Sequence, residues 1–265
     1  MIRGAFVQTR PIFGKVVENI ENAVKVAAGV NSDIYVFPEL CNTGYAFRSK
    51  KECLSLAESL SHGSSFEKFQ EFSEKKKCVI VAGMAEKQGD RTYNSSIVIE
   101  RGKVLGTYRK MHLFYREKMW FSKSYSGFKT FYLESLRCRV GVLICFDWLY
   151  PEVSRKLALE GAEIICHPSD LVLPGKGQVG MMVRAFENRV FTITANRVGS
   201  ESRSPKDKFR FTGNSQIISP DMKKLATAGA NSVVAKVANI DLELARKKFV
   251  TPMNNIVKDM RSDFY

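Results

Sequence analysis

Glu39, Lys110 and Cys145 each stand at the end of an apolar strand pattern, where a fold needs a reason to tolerate a reactive group. Cys145 closes the run Val140-Gly141-Val142-Leu143-Ile144 and precedes Phe146-Asp147-Trp148-Leu149-Tyr150, after which Pro151 opens a helical pattern. A sharp strand-to-helix turn exposes a nucleophile and turns backbone N–H groups towards an oxyanion. Read alone, a cysteine in an apolar run is more often an inert core thiol. Glu39 ends Ile34-Tyr35-Val36-Phe37-Pro38. Desolvation beside so much apolar surface raises a carboxyl's pKa, which suits a general base; the alternative is a solvated strand-end carboxylate. Lys110 ends Val104-Leu105-Gly106-Thr107-Tyr108-Arg109, and the stretch Met111 to Arg116 leads from it to Glu117. On its own it is a commonplace lysine.

The elements that must position these residues are legible as short runs of Val, Ile and aromatics. Such runs predict strands at 2–8, 33–38, 79–85, 95–100, 128–133, 138–145, 162–167, 191–197, 214–219 and 232–240. Helical patterns lie between some of them. Val17, Ile20, Val24 and Ala27 share a face closed by Gly29, and Phe66, Phe69 and Phe72 mark a second segment. A third helix starts at Pro151 and carries Val153, Leu157 and Ala158; a fourth holds Val179, Met182, Val183, Phe186 and Val190. The strands are too many for one doubly wound sheet, and the alternation with helices is too regular for an all-β barrel. Two sheets face to face with helices outside satisfy both. No composition break or linker divides residues 1–265, so one domain is expected, with 199–208 a surface loop.

Composition bounds the function classes. The chain has 265 residues, 45% hydrophobic and 26% charged, with no apolar run long enough to cross a bilayer. The opening residues lack the order of a cleaved signal peptide, so a cytoplasmic protein without membrane partners is expected. Cys41, Cys53, Cys78, Cys138, Cys145 and Cys166 are scattered, as buried free thiols are. Neither they nor His62, His112 and His167 show zinc spacing, and neither metal nor cofactor is expected. The net charge of +14 invites a nucleic-acid reading. Its basic clusters are short and not interleaved with aromatics, so a solvated basic surface is preferred.

Taken together, Phe37-Pro38-Glu39-Leu40, Tyr93-Asn94-Ser95, Tyr108-Arg109-Lys110-Met111-His112-Leu113, Gly141-Val142-Leu143-Ile144-Cys145-Phe146-Asp147, and Arg184-Ala185-Phe186-Glu187-Asn188-Arg189 with Ala195-Asn196-Arg197 resemble the nitrilase superfamily of carbon–nitrogen hydrolases. The resemblance spans nearly the whole chain and is greatest to the compact archaeal, heat-adapted nitrilase-like proteins. It implies a four-layer αββα sandwich, in agreement with the strand count. It further implies that Cys145 attacks, that Glu39 takes and returns its proton, and that Lys110 and the Phe146 N–H hold the oxyanion. Glu117, matching the family's second glutamate, would orient substrate and hold Lys110.

The expected substrate is a small amide or carbamoyl compound, with a small nitrile as the alternative. Nitrilases proper usually carry Trp-Glu where this chain has Phe146-Asp147. Tyr45, Phe114, Tyr115, Trp120, Phe146 and Trp148 are candidate pocket residues, although each would serve equally as packing. Arg116 and Arg197 could pair a carboxylate of substrate or of protein. The resemblance also implies a homodimer or higher homo-oligomer built on the helix from Pro151, and the tail at about 250–265, too apolar to lie idle, is expected across the partner, the alternative being a tail packed on its own domain.

Overall fold

The computed structural model describes residues 1–204 and 207–264. Pro205 and Lys206 of the expected loop, and Tyr265 of the tail, lie outside the described residues.

Two six-stranded sheets carry the fold. The first contains β1 (Ile2–Gln8), β2 (Ile34–Val36), β3 (Val79–Gln88), β4 (Arg91–Glu100), β5 (Lys103–Arg109) and β14 (Val234–Ile240), in the order β14-β1-β2-β3-β4-β5. The second contains β6 (Lys129–Leu133), β7 (Cys138–Val142), β8 (Ile164–Pro168), β9 (Phe191–Ala195), β12 (Gln216–Ile218) and β13 (Lys224–Thr227), in the order β13-β12-β9-β8-β7-β6. Strands β1, β2 and β3 run parallel, as do β7, β8 and β9, while the outer pairings are antiparallel. Each parallel core is therefore a pair of βαβ crossovers, which place helices over one face.

The period-2 alternation of the strands explains the layers. Phe6, Val36, Val81 and Val98 of the first sheet join Val140, Ile164, Ile193 and Ile217 of the second in one buried core. The alternate residues Ala5, Val7, Tyr35, Ile80 and Ile99 face outwards and pack on α1 (Val16–Ala28) and α3 (Ser64–Lys76). On the far side, Val153 and Leu157 of α5 (Pro151–Leu159) and Met181 of α6 (Lys176–Asn188) close the core. This is the expected αββα arrangement, and Phe66, Phe69 and Phe72 are all buried as their spacing predicts. Helix α6 differs. It buries Met181 and Ala185 and leaves Val179, Val183 and Phe186 exposed, so its apolar stripe is wider than the sheet beneath it can cover.

Smaller elements complete the chain: α2 (Lys50–Leu56), α4 (Glu117–Trp120), β10 (Val198–Ser204), β11 (Asp207–Thr212), α7 (Leu242–Arg246), β15 (Phe249–Thr251) and β16 (Asn254–Asn255). Strand β5 pairs with β4 although Gly106 and Lys103 weaken its strand pattern. Of the stretch expected as a loop over 199–208, the described residues instead belong to two paired antiparallel strands, β10 and β11. Its Ser, Gly and charged residues hide the strand signal, and tertiary contacts of Glu201, Phe209 and Phe211 hold it in place.

Candidate active site

Open α/β sheets present ligand sites at the carboxyl ends of their parallel strands. Glu39 follows β2, Cys145 follows β7 and Asp170 follows β8, while Lys110 follows the antiparallel β5. The two sheets thus bring four chain segments to one place. Glu39 and Glu117 are fully buried, Lys110 is 1% exposed and Cys145 is 6% exposed. Lys110 Nζ donates to Glu39 Oε1 at 2.6 Å and lies 2.9 Å from the Glu117 carboxylate.

The backbone here is unusual. Cys145 has φ 40°, Leu40 beside Glu39 has φ 43° and Tyr115 near Glu117 has φ 47°. Left-handed conformations strain side-chain-bearing residues and are tolerated where the surroundings hold them. Cys145 opens a short 3-10 turn running to Leu149. Close approach of β3 to Glu39 depends on Gly83, where a Cβ would lie 2.5 Å from Glu39 Cα.

Each carboxylate is fixed by several donors. Glu39 accepts from Asn94 Nδ2 at 2.6 Å and from the Asp170 N–H at 2.9 Å. Glu117 accepts from the Tyr45 hydroxyl at 3.0 Å and from the Phe114 N–H at 3.2 Å. Burial, opposed by Lys110 and reinforced by Glu39, pushes the Glu117 carboxyl up to about 7. Burial acts to lower the Lys110 ammonium, but Glu117 and Glu39 outweigh it and hold it well above the ordinary lysine range. The Cys145 thiol is raised well above its usual value by burial and then by Glu39. Such a thiol rests protonated, so attack requires transfer of its proton as the new bond forms.

Sequence reasoning assigned no role to several residues that shape this site. Asp147 accepts from the Ile144 N–H at 2.9 Å, from the Tyr108 hydroxyl at 2.7 Å, and from both the N–H and the Nδ1 of His112, at 3.1 and 2.8 Å. It therefore joins the Cys145 turn to the segment bearing Lys110. Its signal was its place in the turn, two residues after the thiol. His167, considered from its spacing only as a metal ligand, donates from Nε2 to the Cys145 carbonyl at 3.0 Å and accepts at Nδ1 from Thr194. Burial lowers its pKa to about 4, so it is a neutral imidazole. Asn94 stood out only as part of a motif and Asp170 not at all.

A cavity of about 10 Å³ adjoins the thiol, lined by Phe114, Cys145, Phe146, Trp148, Asp170, Leu171, Val172 and Leu173. Of the expected pocket residues, Phe114, Phe146 and Trp148 line it. Tyr45 does not: it is 2% exposed, spends its hydroxyl on Glu117 and packs against Trp120, Phe209 and Phe211. Trp120 is likewise core, and Tyr115 lies half-exposed outside that lining. Arg197 is 1% exposed and paired with Glu201 at 2.5 Å, so its partner is a protein carboxylate. The Arg116 guanidinium lies 5.8 Å from the Tyr115 ring centroid. Among the described residues no cluster of three or more His, Cys, Asp or Glu is arranged to hold a metal, and no helix is long and apolar enough to cross a membrane.

The sequence model of the carbon-nitrogen hydrolase family matches residues 5–248. The chain is 40% identical over 268 residues to a nitrilase of Pyrococcus abyssi, covering 100% of this chain and 99% of that one. It is 33% identical to an (R)-stereoselective amidase of a Pseudomonas species, over 84% of this chain and 77% of the relative. A solved carbon-nitrogen hydrolase from Helicobacter pylori superposes with a TM-score of 0.84 at 26% identity, covering 100% of this chain and 96% of that one. On the span of the family match and the 40% identity, the chain belongs to the carbon-nitrogen hydrolase family and is a hydrolase of carbon–nitrogen bonds.

Proposed function

We propose that the chain hydrolyses a small amide or carbamoyl compound, releasing ammonia through a thioester on Cys145. The observation that carries the reading is the buried Glu39–Lys110–Glu117 arrangement, with its 2.6 and 2.9 Å contacts, beside the one thiol placed on a strained turn. In this mechanism Glu39 accepts the Sγ proton while sulfur attacks the carbonyl carbon. The oxyanion is met by Lys110 Nζ and the Phe146 N–H, and the loss of one such donor raises a barrier by about 3 kcal/mol. Glu39 returns the proton to the departing nitrogen, and ammonia leaves. The same carboxylate then deprotonates a water that opens the thioester, restoring thiol and acid. Glu117 keeps Lys110 oriented throughout.

A nitrile is the second reading, favoured by the 40% identity to a protein named a nitrilase. The residues after the thiol, Phe146-Asp147, favour amides. Incubation with paired short amides and nitriles, followed by assay of acid and ammonia, separates the two. Turnover of nitriles alone would make the nitrile the substrate and reject the amide reading.

The proposal extends to one domain over 1–265 and to a two-fold dimer. Helix α6 exposes Val179, Val183 and Phe186, and α5 exposes Leu159, an apolar face that a second copy would cover. Between α5 and the tail runs a groove of about 790 Å³, bordered by Leu159, Ile256 and Met260.

A further inference from the structure

His167 is a fully buried imidazole to which the thiol chemistry assigns no proton. It stands at the carboxyl end of β8, where the ladder to β7 stops. Val142 is the last residue in register, opposite Cys166, and the Leu143 N–H still donates to the Cys166 carbonyl at 3.2 Å. Beyond that point the chain lifts away into the turn, with φ 40° at Cys145, and its carbonyls leave the strand partner behind. A buried carbonyl left without a donor costs the desolvation of the group. The side chain of His167 takes over from the ladder, its Nε2 donating to the Cys145 carbonyl at 3.0 Å.

The ring is locked in place and in tautomer. His167 and Thr194 are direct partners in the register of β8 with β9, and Nδ1 lies 3.1 Å from the Thr194 hydroxyl. A carbonyl only accepts, so Nε2 carries the hydrogen and Nδ1 keeps a lone pair for the Thr194 O–H. Burial, which lowers this imidazole to about 4, holds it in that neutral form.

The Cys145 carbonyl and the Phe146 N–H are opposite ends of one planar trans peptide, so fixing the first sets the direction of the second. The neighbouring N–H groups are committed within the turn, that of Ile144 to the Asp147 carboxylate at 2.9 Å and that of Asp147 to the Ile144 carbonyl at 3.1 Å. Phe146 stands in the first turn of the 3-10 segment, where an amide has no intrahelical acceptor, and it lines the cavity beside the thiol. A peptide unit rotates about its two flanking bonds with little displacement of the side chains on either side. Releasing the carbonyl would therefore misdirect this N–H before it moved the thiol.

We infer that His167 is a positioning residue for the oxyanion: its hydrogen bond to the Cys145 carbonyl aims and polarises the Phe146 N–H that meets the developing charge, while the imidazole takes no part in proton transfer. This rests on the hydrolase reading of the same site.

The test separates the aim of the N–H from the placement of the thiol. Butanal adds to Cys145 as a hemithioacetal: the Sγ–carbon bond forms, the carbonyl electron pair moves onto oxygen, and the thiol proton passes to Glu39. Its affinity, read as protection of Cys145 against alkylation, reports the oxyanion donors without turnover. Iodoacetamide is attacked at its methylene carbon and loses iodide, so no oxyanion forms. His167→Gln keeps an N–H where Nε2 was, whereas His167→Asn reaches only as far as Nδ1 and loses that donor. In His167→Asn, butanal affinity and kcat on propanamide should fall about 10- to 100-fold, somewhat less than outright loss of an oxyanion donor causes. KM and the alkylation rate of Cys145, followed by peptide mapping, should hold, and His167→Gln should return close to wild type. Unchanged butanal affinity in His167→Asn overturns the inference, as does a His167→Gln variant that falls as far as the Asn one. An alkylation rate that falls in step with butanal affinity also overturns it, since the thiol itself would have moved. Should the Asn variant fail to fold, 15N NMR of the histidines in the wild-type protein decides: a hydrogen on Nε2 of His167 supports the inference and one on Nδ1 overturns it. Butanal affinities that follow the expected pattern, with no ammonia released from short amides or nitriles by the wild-type enzyme, would keep the role of His167 and remove the hydrolytic reading.

Discussion

Tyr108 donates a 2.7 Å hydrogen bond to Asp147, 39 residues away in sequence, and the bond fastens the end of β5 to the turn that carries Cys145. Lys110 lies two residues beyond Tyr108, so one buried carboxylate sets the relation of thiol to ammonium. Asp147→Asn replaces an acceptor of four donors by a group that must itself donate. Each hydrogen bond to a buried charge contributes about 1.5–3 kcal/mol. A fall of about 10- to 100-fold in kcat/KM is expected from misplacing reacting groups, with a lower Tm. Tyr108→Phe, which removes one of the donors, should have a smaller effect in the same direction. Wild-type kinetics in Asp147→Asn would mean that the turn holds itself.

Cys145→Ser and Cys145→Ala are expected to abolish turnover without unfolding the protein, since volume barely changes. Burial pushes the thiols of Cys53, Cys78 and Cys138 up to about 12 and raises those of Cys41 and Cys166 as well. Cys145 is also raised, but of the six thiols it is the one acted on by both Glu39 and Lys110. It should therefore react first with a small alkylating agent. Peptide mapping that found Cys41 or Cys166 labelled ahead of it would contradict the assignment.

Glu117 is expected to give the pH profile its acidic limb. Its carboxyl is raised to about 7, so below that pH it protonates and loosens its hold on Lys110, and activity falls. The stability sign is opposite. A carboxyl whose folded pKa is raised binds more protons folded than unfolded, so its contribution to stability is present at low pH and is lost as pH rises through about 7. Glu117→Gln should lower kcat/KM, because a neutral amide holds an ammonium poorly, and the residual activity should lack the limb near 7. An unchanged limb in Glu117→Gln would assign it elsewhere.

Much of the site is legible in residue order alone, and what is not has physical causes. Strand ends are marked by sudden polarity after apolar runs, so Glu39, Lys110 and Cys145 stand out one by one. Their meeting does not, because it depends on two sheets facing each other. Asp147 and His167 are hidden for another reason: each fastens the Cys145 turn through backbone N–H or C=O groups, which leave no trace in residue type. Tyr45 misleads because an aromatic near a site is as good a packing residue as a binding one. The pairing of β10 with β11 is unreadable from its Ser and Gly content, since Phe209 and Glu201 find their partners far away in sequence.

Gly83→Ala tests how tightly β3 and Glu39 are packed. The added methyl would sit 2.5 Å from Glu39 Cα and 2.6 Å from the Pro38 carbonyl, both backbone atoms that cannot swing aside. Overpacking of this kind costs about 1–3 kcal/mol. Lower Tm together with impaired kcat is expected, because the strain falls on the segment holding Glu39, the proposed base. A variant with wild-type Tm and kcat would show that the segment relaxes freely.

The tail offers a test of assembly that is independent of the chemistry. Strand β16 pairs with β15, and the Ile256 N–H donates to the Lys248 carbonyl at 3.0 Å, so the tail begins docked on its own chain. Beyond that point Val257 is 36% exposed and Phe264 72% exposed, while Ile256 and Met260 border the groove on the face of α5 that leaves Leu159 exposed. Apolar side chains left in water at the edge of such a face are what a two-fold partner would bury, each contact occurring twice. Deleting residues 254–265 should move the species seen by light scattering towards monomer. Ammonia release should fall with it, because α5 follows directly on the turn that carries Cys145. A truncated chain that remained a dimer with full activity would refute the role assigned to the tail and leave the catalytic assignment untouched.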